Sequence, residues 1–198
     1  MMNIPFSPPD ITQAEIDQVV EVLKTGWITT GPKTKLFEQR IAKMCNTQKA
    51  VCLSSQTACA EMTLRILGIG PGDEVIVPSY TYTASASVIC HVGATPVLVD
   101  CAKDSYEMDY EKMEQAITDR TKAIIAVDLA GIVCDYDKIF AAVNRKRSYF
   151  RPSDNPIQYA IGRVIVLSDA AHAFGAQWHG KMCGEIADFT NFSFHAVK

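Results

Sequence analysis

No stretch of this chain approaches the roughly 18 consecutive apolar residues of a membrane helix. Residues 1–10 hold no basic run followed by an apolar one, so no secretory leader is read there. Both absences point to a soluble, cytoplasmic protein without a membrane partner. Charge of one sign is scarce as well. Nineteen basic against 22 acidic residues leave a net charge of -3, which provides no field to attract nucleic acid or an anionic membrane surface. Seven cysteines, an odd number with no paired CxxC, make no disulfide framework and suit a reducing compartment. Free thiols, mostly buried, are the expectation. Internal repeats and low-complexity tracts are also missing.

What remains is ordinary globular composition, 48% hydrophobic and 21% charged over 198 residues, enough for one sizeable core. Asp10 or Thr12 can cap a first helix with Ile16, Val19, Val20 and Leu23 on one face, stopped by Gly26. The loop 27–32 follows, then a second helix with Phe37, Ile41 and Met44 inward. Residues 49–53 read as a short strand. From there helices over 57–67, 82–92, 110–117 and 136–143 alternate with strands over 74–77, 96–99, 123–127 and 163–167. That alternation predicts an α/β fold of three layers, a mainly parallel sheet with helices on both faces. Residues 144–159, with four basic residues and two prolines, read as a surface insertion whose charge is solvated. A Gly-punctuated hairpin leads to Gly184, and an apolar run 189–194 precedes His195-Ala196-Val197-Lys198.

Three motifs imitate sites. Gly68-Ile69-Gly70-Pro71-Gly72 resembles part of a dinucleotide fingerprint, but it follows a helix and opens a strand, so it reads as a helix stop and turn. His172, His179 and Cys183 match no familiar zinc spacing, and Cys45, Cys52, Cys59 and Cys90 sit at apolar positions suited to core packing; no metal site is expected. Ser168-Asp169 with His172 has no G-x-S-x-G elbow to support a hydrolase triad.

Four segments instead fall near the ends of predicted strands, where open α/β sheets form ligand crevices. Ser54-Ser55-Gln56-Thr57-Ala58 is a polar turn whose N–H groups can cradle a phosphate, or simply cap a helix. Pro78-Ser79-Tyr80-Thr81-Tyr82 supplies aromatics that can cover a planar ring or pack in the core. Asp169 can pair with a cationic ring nitrogen, or serve as a cap. Lys198, after Ser193 and an apolar strand, is either a desolvated amine nucleophile or a solvated tail. Phosphate cradle, ring cover, anion and amine are together what pyridoxal phosphate requires.

These residues bring the chain into line with a known family. Gly26-Trp27-Ile28-Thr29-Thr30-Gly31-Pro32, the run from Gly68 to Ser79, Asp169-Ala170-Ala171-His172-Ala173 and Ser193-Phe194-His195-Ala196-Val197-Lys198 resemble the DegT/DnrJ/StrS-type nucleotide-sugar aminotransferases in order and spacing, over essentially the whole chain. The resemblance implies the large domain of a fold-type I pyridoxal-phosphate enzyme, occupying 1–198 together with an N-terminal segment. Such enzymes continue past the lysine into a small C-terminal domain absent from this chain, so the large domain is cut at the lysine that carries the cofactor. The resemblance further implies that Lys198 forms the Schiff base, Asp169 binds the pyridine nitrogen, His172 lies beside the ring hydroxyl and Tyr82 stacks on the ring. Gln56 and Thr57 through N–H groups, and Ser193 through its hydroxyl, hold the phosphate, while Thr29 and Thr30 face the sugar. It implies a homodimer that moves an amino group from an amino acid, glutamate by expectation, to a nucleotide-linked keto sugar in amino-sugar or cell-surface polysaccharide biosynthesis. A sugar dehydratase of the same family carries histidine at the position of Lys198, which argues against that branch; a non-catalytic fragment or partner subunit of the same fold is the other alternative. Three departures stand out: Gln56 replaces a family Gly or Ala, Ser168 an acidic residue and Ala130 an aromatic. Were a positive φ needed at position 56, the side chain would add about 1 kcal/mol or more of strain.

Overall fold

The computed structural model describes residues 8–196 and Lys198. Residues 1–7, part of the stretch in which no secretory leader is read, and Val197 of the closing motif lie outside the described residues. The chain divides into two compact units, Met1–Cys52 with Phe194–Lys198, and Leu53–Ser193.

In the first unit, α1 (Gln13–Thr25) starts at Thr12, which forms a capping box with Glu15, so Thr12 and not Asp10 is the cap. Gly26 ends it in the left-handed conformation. Helix α2 (Pro32–Met44) begins on the pre-set φ of Pro32. The amphipathic patterns are present, yet the faces expected inward are not buried. Ile16, Val19, Leu23 and Met44 are 46%, 60%, 61% and 44% exposed, because two helices without a sheet cannot cover each other's apolar stripes. A cavity of about 550 Å³ runs between them, lined by Val19, Leu23, Ile28, Leu36 and Phe37. Residues 49–53 are not a strand: the Cys52 N–H donates to the Glu38 side chain at 2.8 Å.

The second unit is built on a five-stranded parallel sheet. Helix α3 (Gln56–Ile66) is followed by β1 (Glu74–Pro78), α4 (Thr83–His91), β2 (Thr95–Val99), α5 (Tyr110–Gln115), β3 (Thr121–Val127), α6 (Tyr136–Arg145), α7 (Pro156–Ile161), β4 (Ile165–Asp169), the hairpin β5 (Gln177–Trp178) and β6 (Lys181–Met182), and β7 (Phe189–Asn191). Strand order is β2-β1-β3-β4-β7, every pair parallel. Alternation along the strands separates two cores. Val75, Val77, Ile165 and Leu167 pack with Leu64 of α3 and Ile89 of α4, whereas Ile76, Ile124 and Val166 pack with Met113 of α5 and Ile139 of α6. The expected three-layer α/β architecture is therefore what the chain forms. The glycine run after α3 is the expected stop and turn: Gly68 has φ 70°, and the Gly70 N–H donates to Asp73 Oδ2 at 3.1 Å.

The stretch 144–159 is more than a surface insertion. Phe150 is buried, Asn155 donates to the Ile66 carbonyl at 2.9 Å, and fully buried Gln158 donates to the Leu67 carbonyl at 2.7 Å. Side chains of the insertion thus satisfy carbonyls that the end of α3 leaves without helical partners. Its basic residues are engaged rather than merely solvated: Arg145 pairs with Glu114 and Arg147 donates to the Gly162 carbonyl. Of the seven cysteines only Cys45, Cys134 and Cys183 are buried, and Cys90 is exposed on α4, so burial of most thiols does not hold. Among the described residues no helix is long and apolar enough to cross a membrane.

Candidate active site

In an α/β unit each helix returns antiparallel to its strand, so helices start at the edge where strands end. Arg65 near the end of α3 donates to the carbonyl of His91 at the end of α4, and His91 pairs with Glu61 of α3. The two helices are therefore parallel neighbours, and Gln56 at the start of α3 lies at the same edge as Tyr82, the N-cap of α4. Asp169, the last residue of β4 rather than a residue beyond it, pairs in register with Val127 and Asn191 at that edge. His172 and Ser193 follow β4 and β7 there.

The start of α3 holds its donors outward. Ser55 caps Ala58, but the N–H groups of Gln56 and Thr57 have no partner among the described residues. The Gln56 side chain is 9% exposed, and its Nε2 is a buried donor without an acceptor. Gln56 is an ordinary first-turn helical residue and is not among those with positive φ, so the strain considered for a side chain here is absent. Three N–H donors at a helix N-terminus suit an anion. Tyr82 is 79% exposed, which excludes core packing, and its side chain caps nothing.

Asp169 is 6% exposed. Position 169 continues the row 165, 167 and so faces α4, where Ser85 Oγ donates to its Oδ2 at 2.7 Å; the Ala171 N–H donates to Oδ1 at 3.2 Å. Within this unit no Lys, Arg or His forms an ion pair with it, so a buried carboxylate is left to meet a cationic partner that the unit itself does not provide. Ala130 has φ 54° and ψ 23°, and that left-handed turn directs its N–H at Nδ1 of His172, 3.3 Å away. With Nδ1 accepting, Nε2 is the ring nitrogen left to donate.

On the opposite face of β4, Ser168 leads to a site that sequence reasoning missed. Asp128 is fully buried and accepts from Ser168 Oγ at 2.6 Å, the Cys134 N–H at 2.9 Å and Tyr136 Oη at 3.0 Å, while its own N–H donates to the Asp169 carbonyl. Burial pushes its carboxyl above the usual carboxylate range, opposed by those donors. A raised folded-state value means a stabilising contribution that is full below the unfolded value of 3.8 and is lost as pH rises through the folded one. The non-titrating Asp128→Asn is therefore expected to be most destabilised relative to the parent in acid, with the gap narrowing toward neutrality. Thermal melts at pH 4 to 8 would contradict this if the gap were constant.

Lys198, Thr29 and Thr30 belong to the first unit, and all three are exposed. The 27–32 loop is fixed by the Trp27 indole N–H, which donates to the Thr30 carbonyl at 3.0 Å. A Cβ at Gly31 would sit 2.6 Å from the indole ring, so any larger residue there must displace Trp27. The Lys198 N–H donates to the His195 carbonyl.

The sequence model of the DegT/DnrJ/EryC1/StrS aminotransferases matches residues 9–150 and 158–198, nearly the whole chain and every candidate site residue described above. The chain belongs to this family. Spr1654 of Streptococcus pneumoniae, ascribed to the sugar aminotransferases and solved in apo, PLP and PMP forms, is 60% identical over 100% of this chain and 49% of its own apo-form chain, with a TM-score of 0.97. DesV of S. venezuelae is 36% identical over 93% of this chain and 46% of its own, with a TM-score of 0.81. The spore coat polysaccharide biosynthesis protein SpsC of Bacillus subtilis is 38% identical over 98% of this chain and 46% of its own length. The chain thus spans about half the length of the family members it matches.

Proposed function

We propose that the protein containing this chain is a pyridoxal-phosphate-dependent sugar aminotransferase, a cytoplasmic homodimer that passes an amino group from glutamate to a nucleotide-linked keto sugar. The observation that carries this reading is the buried Asp169 carboxylate, held by two donors and lacking a cation in its unit, on the edge that also holds the unpartnered donors of Gln56 and Thr57. Family membership and the PLP and PMP forms of Spr1654 support it.

The residues fit the cofactor. The N–H groups of Gln56 and Thr57, the Gln56 amide and the Ser193 hydroxyl would hold its phosphate, Tyr82 would cover the ring, and Asp169 would accept from the pyridine nitrogen. His172 would offer Nε2–H to the ring hydroxyl. Bound pyridoxal phosphate supplies an aldehyde for amines and an electron sink for the bond that breaks at the substrate carbon. In this reading Lys198 Nζ holds the cofactor between turnovers and, once released, takes the proton from the donor's Cα and returns one to the acceptor carbon. Asp169 keeps the ring nitrogen protonated. Thr29 and Thr30 face the sugar.

Glutamate alone is expected to bleach the visible absorbance of the loaded full-length protein with stoichiometric release of 2-oxoglutarate, and a nucleotide-linked keto sugar to restore it. Absence of a keto acid from any amino donor contradicts the reading. Gln56→Ala is expected to weaken pyridoxal phosphate about tenfold while leaving pyridoxal, which lacks the phosphate, unchanged; equilibrium titration of both compares them directly.

A further inference from the structure

The sequence of α4 gives no chemical reason for a serine at position 85. Its neighbours Ala84, Val88 and Ile89 are core, Ser85 is 1% exposed, and an alanine would fill the same space. The hydroxyl is explained by its bonds. A carboxylate only accepts, so Ser85 must donate to Asp169 Oδ2 at 2.7 Å. With that hydrogen committed, Thr81 Oγ1, 2.8 Å from Ser85 Oγ, must be the donor to it. A one-way relay runs from Thr81 through Ser85 to Asp169, and the Ala171 N–H restrains the second carboxylate oxygen. Thr81 belongs to the loop that carries Tyr80 and Tyr82, so the relay ties the aromatic loop to the carboxylate.

We infer that Ser85, supported by Thr81, is a positioning residue that fixes the orientation of the Asp169 carboxylate toward the cofactor's ring nitrogen. The inference rests on the cofactor reading above. Two donors, one on each oxygen, set the plane of the carboxylate and leave its remaining lone pairs for one further N–H. Without Ser85 the carboxylate keeps only the longer Ala171 bond and is free to rotate, while the partly exposed Thr81 turns its hydroxyl to water.

The test compares pyridoxal phosphate with its 1-deaza analogue, in which the ring nitrogen is replaced by C–H, by equilibrium titration of the full-length protein. The parent is expected to prefer pyridoxal phosphate. Ser85→Ala is expected to reduce that preference about tenfold, with the analogue's affinity nearly unchanged. Ser85→Thr, which keeps a hydroxyl, restores it, and Thr81→Val gives a smaller loss in the same direction. A purely structural role would weaken both ligands equally, and that result overturns the inference, as does an unaltered preference in Ser85→Ala. A parent that binds neither compound, or binds both alike, overturns the role of Asp169 itself and this inference with it. Ser85→Thr and Thr81→Val keep the test decisive if Ser85→Ala folds poorly.

Discussion

Asp169→Asn in the full-length protein is expected to keep pyridoxal phosphate bound while turnover falls at least about a hundredfold. The amide is the same size, and its single oxygen can still accept from one of the two donors, Ser85 and Ala171, that hold the native side chain. What it lacks is the negative charge that in the proposed mechanism keeps a proton on the ring nitrogen, and without that proton the ring is a poor electron acceptor. The effect therefore falls on kcat more than on cofactor affinity. Steady-state kinetics beside a cofactor titration separates the two, and near-normal turnover in the variant would remove Asp169 from its assigned role. The Asp128 network should survive the change, because Ser168 and Asp169 point to opposite faces of β4.

Lys198→Ala is expected to have the largest effect. In the proposed mechanism one amine both holds the cofactor and moves the proton at the substrate carbon, so its removal takes away covalent attachment and general base together. Turnover should fall by about 10²–10⁴-fold or more. Cofactor affinity should fall less, because the proposed phosphate cradle at Gln56 and Thr57 is left in place by the substitution. Added small amines should recover part of the proton-transfer rate. Turnover unchanged by the substitution would contradict the mechanism.

The parts of this structure legible in the sequence are those with local causes. The α/β alternation, the stop at Gly68 and the cap at Thr12 each follow from a few adjacent residues. Asp169 stands out in the sequence because a carboxylate at the end of an apolar strand is unusual, and the structure places it buried at that strand end. Ser85 does not, since a serine among Ala84, Ala86 and Val88 reads as a small packing residue; only its position four residues after Thr81, one helical turn away, hints at a paired hydroxyl. Asp128 was invisible for a different reason. Its partners come from β4, α6 and the loop before α6, an arrangement created by strand pairing rather than by spacing.

The misreadings also have physical causes. Residues 49–53 have the composition of a strand but do not form one, and the Cys52 N–H turns to the Glu38 side chain. The amphipathic stripes of α1 and α2 were read correctly as stripes, but an apolar pattern cannot show whether its own unit supplies a cover. Strain at Gln56 would require a positive φ, and its place in the first turn of α3 does not impose one. The Gln158 and Asn155 bonds to the end of α3 span some 90 residues of sequence, beyond the reach of periodicity.

The central claim is that this chain carries pyridoxal phosphate on Lys198. It is tested most directly by reducing the loaded full-length protein with borohydride, digesting it and locating the added mass by peptide mass spectrometry. The account predicts a pyridoxyl-phosphate group on Lys198. Loss of the cofactor on denaturation after reduction, or a label on another amine such as the buried Lys122, would contradict it.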